Sequence, residues 1–154
     1  MNILERKRAY RDGLRRLERL CSRNYRLFQQ WPWLKRVGTM QLIATEPVGF
    51  LPAGQVELTV LHRWPYTTVL NLRSAPSATA NIELQIRLYH DANSAEVTIA
   101  RAVENGVERE FSLQQTTNQP KEKLYWNTFL SAWLSIMQVH IYAVPNTAKR
   151  CVNS

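Results

Sequence analysis

The chain has 154 residues, of which 45% are hydrophobic, and a net charge of +8. That length suits one domain with one core, and that composition excludes a disordered chain. No apolar run approaches the roughly 20 residues of a membrane span, and the charged start MNILERKRAYRDG has no apolar segment behind it, which argues against a secretory signal.

Two cysteines, Cys21 and Cys151, do not make a disulfide framework. They fit a reducing, cytoplasmic setting, and Cys21 is expected to be a buried, inert thiol. The charge is concentrated in one place. Residues 1–36 hold eleven Lys and Arg against Glu5, Asp12 and Glu18, while the other 118 residues carry nine bases and nine acids. A neutral domain with one basic segment follows.

That segment predicts an amphipathic helix from about Glu5 to Trp31. Tyr10, Leu14, Leu17, Cys21, Tyr25 and Phe28 recur at three-and-four spacing and should share a buried face. Arg8, Arg15, Arg19 and Arg26 lie opposite, flanked by Arg16 and Arg23. Gly13 weakens the helix and divides a loose basic extension, residues 1–15, from the packed part. Pro32 should end it. Residues 37–54, with three glycines and two prolines, read as a long loop holding a short strand at Met40–Ala44.

The period then changes to two. QVELTVL places Val56, Leu58 and Val60 on one face, and YTTVLNLR does the same for Tyr66, Thr68, Leu70 and Leu72. In NIELQIRLY, apolar Ile82, Leu84, Ile86 and Leu88 alternate with Glu83, Gln85 and Arg87. AEVTIAR and VEREFSL follow, separated by Asn105-Gly106, a strong hairpin-turn pair. A last helix is predicted from Pro120 to about Tyr142, capped by Asn118, with Trp126, Phe129, Leu130, Trp133, Leu134 and Met137 as its apolar stripe. Residues 143–154 read as a loose tail.

The expected fold is α+β: an N-terminal helix, an antiparallel meander of about five strands, and a C-terminal helix, with both helices on one face of the sheet in a single domain, 1–154. Leu84, Ile86, Leu88, Val97 and Ile99 should pack against Phe129, Trp133 and Met137.

Several motifs occur together in order: Leu20-Cys21 with Asn24-Tyr25, Tyr66-Thr67-Thr68, Arg87-Leu88-Tyr89-His90-Asp91-Ala92 with Ala95-Glu96-Val97, and Glu122-Lys123 with Asn127, Phe129-Leu130 and Trp133-Leu134. In this the chain resembles the YqiB-like family of bacterial proteins, over roughly residues 18–142. It departs from the family pattern at Lys121, at Tyr125 and across 101–117. The resemblance implies a bacterial, cytosolic single domain. That family has no established activity, so no catalytic residue is carried over.

The stretch IRLYHDANSAEV is the one most like a chemical site. Arg87, Tyr89, His90, Asp91 and Glu96 are the candidate ligand residues, with His90-Asp91 as a general base. Against this, Asp91-Ala92-Asn93-Ser94 has turn composition, and Asp91 is expected to fix a hairpin. Arg87 and Glu96 are then cross-strand neighbours. His62 and His140 stand on other elements, so no metal set is signposted and no cofactor is expected. Asn24 and Asn127 are expected to bond a strand end or loop backbone. Trp31-Pro32-Trp33 and Trp64-Pro65-Tyr66 offer a stacking platform if exposed, but core filling is the expectation.

The candidate anion-binding set is Arg8, Arg15, Arg16, Arg19, Arg23 and Arg26, suited to nucleic-acid phosphates, an anionic membrane surface or an acidic protein. A solvated face explains the same residues. The leading reading is a non-enzymatic interaction or regulatory domain with an unknown protein partner or a second copy of itself. Nucleic-acid binding through the basic helix is the second reading. A small-molecule or enzymatic site near His90 and Asp91 is the third.

Overall fold

A computed structural model describes residues 2–31, 38–77, 79–114 and 120–139. Pro32, Trp33, Asn118, His140, Cys151 and the tail 143–154 lie outside the described residues. The elements are α1 (Ile3–Gln29), β1 (Gly38–Ala44), β2 (Gly54–Arg63), β3 (Thr67–Ser74), β4 (Ala80–Tyr89), β5 (Ser94–Glu104), β6 (Val107–Ser112) and α2 (Pro120–Val139).

The six strands form one antiparallel sheet in sequence order, a pure meander. The expected α+β arrangement holds, and β1 is its sixth strand. Asn105 and Gly106 take positive φ, 53° and 80°, and turn β5 into β6 as Asn-Gly hairpins do.

One face of the sheet is apolar. Leu58, Leu72, Leu84 and Ala100 stand in register across β2 to β5, and Val60, Leu70, Ile86 and Val97 form the next row. These rows, Tyr25 and Phe28 of α1, and Trp126, Leu130, Trp133, Leu134 and Met137 of α2 make one continuous core. Both helices therefore cover the same face. The turn at Gly49 closes one end of the core. Its φ is +58°, and an added Cβ would stand 3.3 Å from the Phe129 ring. A side chain there would be strained by the backbone conformation and would press on the Phe129 ring.

Ile99 departs from expectation. β5 carries a bulge between Val97 and Ile99, opposite Gln85 and Ile86. The extra residue, Thr98, is buried and donates to the Gln85 carbonyl at 3.2 Å. Each side chain beyond it is displaced by one place, so Ile99 joins Gln85 on the outer face and Ala100 turns inward. A second bulge at Leu61, between Val60 and His62, likewise ends the inward run of β2. Tyr66 also leaves its expected face. It sits in the turn closed by Trp64 and Thr67, whose backbones bond at 2.8 and 3.3 Å, and is 68% exposed.

The first helix is buried only from Cys21 onward. Asn2 and Glu5 form a capping box at its start, at 2.8 and 2.9 Å. That cap satisfies two helix-end donors without help from the core. Tyr10 and Leu14, expected in the core, are 65% and 43% exposed. The helix is about 40 Å long at 1.5 Å per residue, and its first half extends past the packed region. Neither helix is long and apolar enough to cross a membrane.

Candidate functional site

The opening motif is a hairpin: β4 ends at Tyr89, residues 90–93 turn, and β5 starts at Ser94. Asn93 holds the turn in the left-handed region, at φ +51°. Asp91 is exposed and has no side-chain hydrogen bond among the described residues, so it does not fix the turn. In this turn one residue takes positive φ, and it is Asn93, a residue type that tolerates that conformation.

His90 has a different role. Its Nδ1 meets the Tyr25 hydroxyl at 2.9 Å, its Nε2 meets Thr68 Oγ1 at 2.8 Å, and its backbone N–H donates to the Tyr66 carbonyl at 2.9 Å. One residue thus ties α1, β3 and the β2–β3 turn to the β4–β5 turn. Partial burial lowers its pKa below the usual 6.5. The Arg63 charge acts in the same direction, and Asp91 opposes both. Burial therefore disfavours the charged imidazole, and both ring nitrogens are held by hydroxyls of neighbouring elements.

Arg87 and Glu96 are cross-strand neighbours in register. The ion pair of Glu96 is nevertheless with Lys123 of α2, at 3.6 Å. Arg87 Nε is buried without a hydrogen bond among the described residues. Tyr89 is held above its usual pKa, mainly by burial and then by Glu96. Beside Glu96 lies Cys21, whose thiol is pushed up to about 12, first by burial and then by that carboxylate. It is buried, as expected.

Asn24 and Asn127 are both fully buried. Asn127 Oδ1 accepts the Val97 backbone N–H at 3.0 Å, and its Nδ2 donates to the Lys123 carbonyl at 2.8 Å. Asn24 Nδ2 donates to the Asn127 carbonyl at 3.2 Å, a helix backbone rather than a strand or loop. These asparagines join α1, α2 and β5.

The outer face of the sheet is not covered by either helix. Gln41, Glu57, Arg73, Glu83, Arg101 and Glu110 align across all six strands. Arg73 pairs with Glu57, and Arg101 lies 3.5 Å from both Glu83 and Glu110. Glu57, Glu83 and Glu110 outnumber Arg73 and Arg101 by one, so most of the charge in the row is paired within it. The β2–β3 turn does present aromatics. Trp64 is 50% exposed and stacks on His62 at 4.9 Å, so core filling fails for Trp64 and Tyr66, while Trp31 is buried as expected. The bulge at Leu61 carries this tip out of the core register.

The candidate anion-binding arginines divide. Arg8, Arg15, Arg16 and Arg19 are exposed on the free half of α1. Arg26 borders a shallow groove between α1 and the turn residues Ala92 and Asn93. Arg23 is committed elsewhere: it donates to Ser131 at 2.9 Å and to Ser135 at 3.1 Å on α2. No group of three His, Cys, Asp or Glu positioned to hold a metal occurs among the described residues.

A family described as a protein of unknown function (DUF1249) matches residues 25–143. The chain belongs to this family. No curated protein and no solved structure matches it. The family match begins at Tyr25, so it includes the His90 clamp, the sheet and α2. The free half of α1 lies before it.

Sequence reasoning missed Tyr25 and Thr68 as the partners of His90. Both stand in the motifs Asn24-Tyr25 and Tyr66-Thr67-Thr68, and a polar residue within an apolar stripe was the available signal.

Proposed function

We propose that this chain is a non-enzymatic interaction domain that engages an anionic partner through the free half of α1. The observation that carries this is the exposure of that half. The helix is capped and formed, yet Tyr10, Leu14, Arg8, Arg15 and Arg19 all face solvent. The entire net charge of the chain also falls within residues 1–36. A basic helix of this kind attracts phosphates and other anions by long-range field as well as by contact. The YqiB-like character of the Arg87–Val97 motif supports a bacterial and cytosolic setting.

Nucleic acid is the second reading, favoured by the exposed row Arg8, Arg15 and Arg19. A small-molecule or enzymatic site near His90 and Asp91 is the third reading; there the His90 ring nitrogens meet the Tyr25 and Thr68 hydroxyls.

The test compares the native protein with a variant carrying Arg8→Gln, Arg15→Gln, Arg16→Gln and Arg19→Gln. Arg23 stays because it holds α2. Duplex DNA, RNA, an acidic peptide and anionic vesicles are titrated at low and physiological salt. Binding by the native protein that falls with salt and is lost in the variant is expected. No binding to any polyanion at low salt would overturn the reading.

A further inference from the structure

We infer that the anionic partner is a lipid surface, and that the free half of α1 lies along it as an interfacial helix. This rests on the proposed role of that helix, and it names the partner.

Charge alone does not choose among polyanions, but the distribution of side chains around the helix does. At 3.6 residues per turn, Ile3, Tyr10, Leu14 and Leu17 fall on one line that continues into Cys21 and Phe28. The later part of this line is buried against the core, and the earlier part has no cover. Ile3 is 66% exposed, Tyr10 65% and Leu14 43%.

Three cations flank the uncovered stripe. Arg6 borders it on one side, Lys7 and Arg11 on the other. Glu18 lies on that second side too, while Glu5, Asp12, Arg8, Arg15, Arg16 and Arg19 fall away from the stripe on the water-facing side of the helix. Residues 2–20 hold seven bases and three acids. A bilayer surface with anionic headgroups matches both features at once. Its acyl boundary takes the apolar stripe, and its headgroups take the bordering cations, whose long stems reach out from beside the stripe.

Other occupants fit less well. Nucleic acid would neutralise the arginines and leave Ile3, Tyr10 and Leu14 in water. A second copy would cover the stripe but bring two like-charged segments together. The capping box at Asn2 and Glu5 also means that the helix exists before contact, so little ordering cost remains at binding.

The experiment uses the full chain and vesicle flotation. Neutral phosphatidylcholine vesicles are compared with vesicles containing phosphatidylglycerol, at low and physiological salt. One variant carries Tyr10→Glu and Leu14→Glu. A second carries Arg6→Gln, Lys7→Gln and Arg11→Gln. All five positions are exposed, and unchanged thermal unfolding confirms the fold. Duplex DNA and RNA are titrated in parallel.

Expected is binding to the anionic vesicles only. The triple variant should lose on the order of a hundredfold in partitioning. The double Glu variant should lose at least about tenfold. Three results overturn the lipid assignment: equal binding to neutral vesicles, unchanged binding by the double Glu variant, or binding to DNA or RNA but not to vesicles. The last leaves the anionic-partner reading standing. Binding to no polyanion overturns both.

Discussion

Asn127 on α2 completes the hydrogen bonding of Val97 on β5, with its Oδ1 3.0 Å from the Val97 nitrogen. The need arises from the sheet. Strand β6 pairs with β5 only from Ile99 to Glu104, which leaves the start of β5 as an open edge. Helix α2 covers this edge, and a side-chain amide replaces the missing strand. Asn127→Ala strands a buried N–H and should cost about 1–3 kcal/mol in urea unfolding. Thr128→Ala, at the exposed next position, should stay within about 0.5 kcal/mol. Equal small losses for both would mean that water serves Val97 as well as Asn127 does.

His90 should matter more to folding than Asp91. Removing the His90 ring leaves the Tyr25 and Thr68 hydroxyls without their shared partner. His90→Ala is expected to cost about 1–3 kcal/mol, and Asp91→Ala to be close to neutral. Matched losses in the two variants would return Asp91 to the turn.

The same histidine predicts a pH dependence. Its folded pKa lies below the usual 6.5, so the unfolded chain binds the proton more readily. Stability should be fully present above about 6.5 and should fall as pH drops from there through the folded pKa. Urea midpoints measured across this window should lose much of the slope in His90→Gln. An unchanged slope would assign the titration to other groups.

The strands were legible because one face of a meander writes a period of two, as in Ile82, Leu84, Ile86 and Leu88. The α2 stripe was legible for the same reason at period 3.6. Bulges leave no such mark. Thr98 and Leu61 each add one residue whose effect depends on the neighbouring strand, and so the inward assignment of Ile99 failed. Periodicity also could not show where the core stops. Tyr10 and Leu14 carry the same pattern as Tyr25 and Phe28, but nothing packs on them. At the His90 hairpin the residues were found and the roles were exchanged, since Tyr25 and Thr68 approach only through the tertiary fold.

Cys21 should resist thiol reagents. With its pKa pushed up to about 12, almost none of it is thiolate near pH 8, and it is also buried. In a Cys151→Ser background, labelling by a thiol-reactive disulfide should be negligible in the native protein and complete in urea. Rapid native labelling would show that the contact between α1 and α2 opens readily.

The free half of α1 offers a last test through Gly13. An added Cβ there meets no atom within 4 Å, and the backbone is helical. Gly13→Ala therefore removes a helix-interior glycine without creating a clash. It should stabilise the local helix by up to about 1 kcal/mol. Because residues before Cys21 are not buried, the gain should remain local. Amide hydrogen exchange should slow within residues 6–20, while the global unfolding midpoint should barely move. A midpoint that rises by the full amount would show that this half of the helix unfolds together with the core. The apolar stripe of Tyr10 and Leu14 would then belong to the domain's own packing, and its availability to an outside surface would be lost.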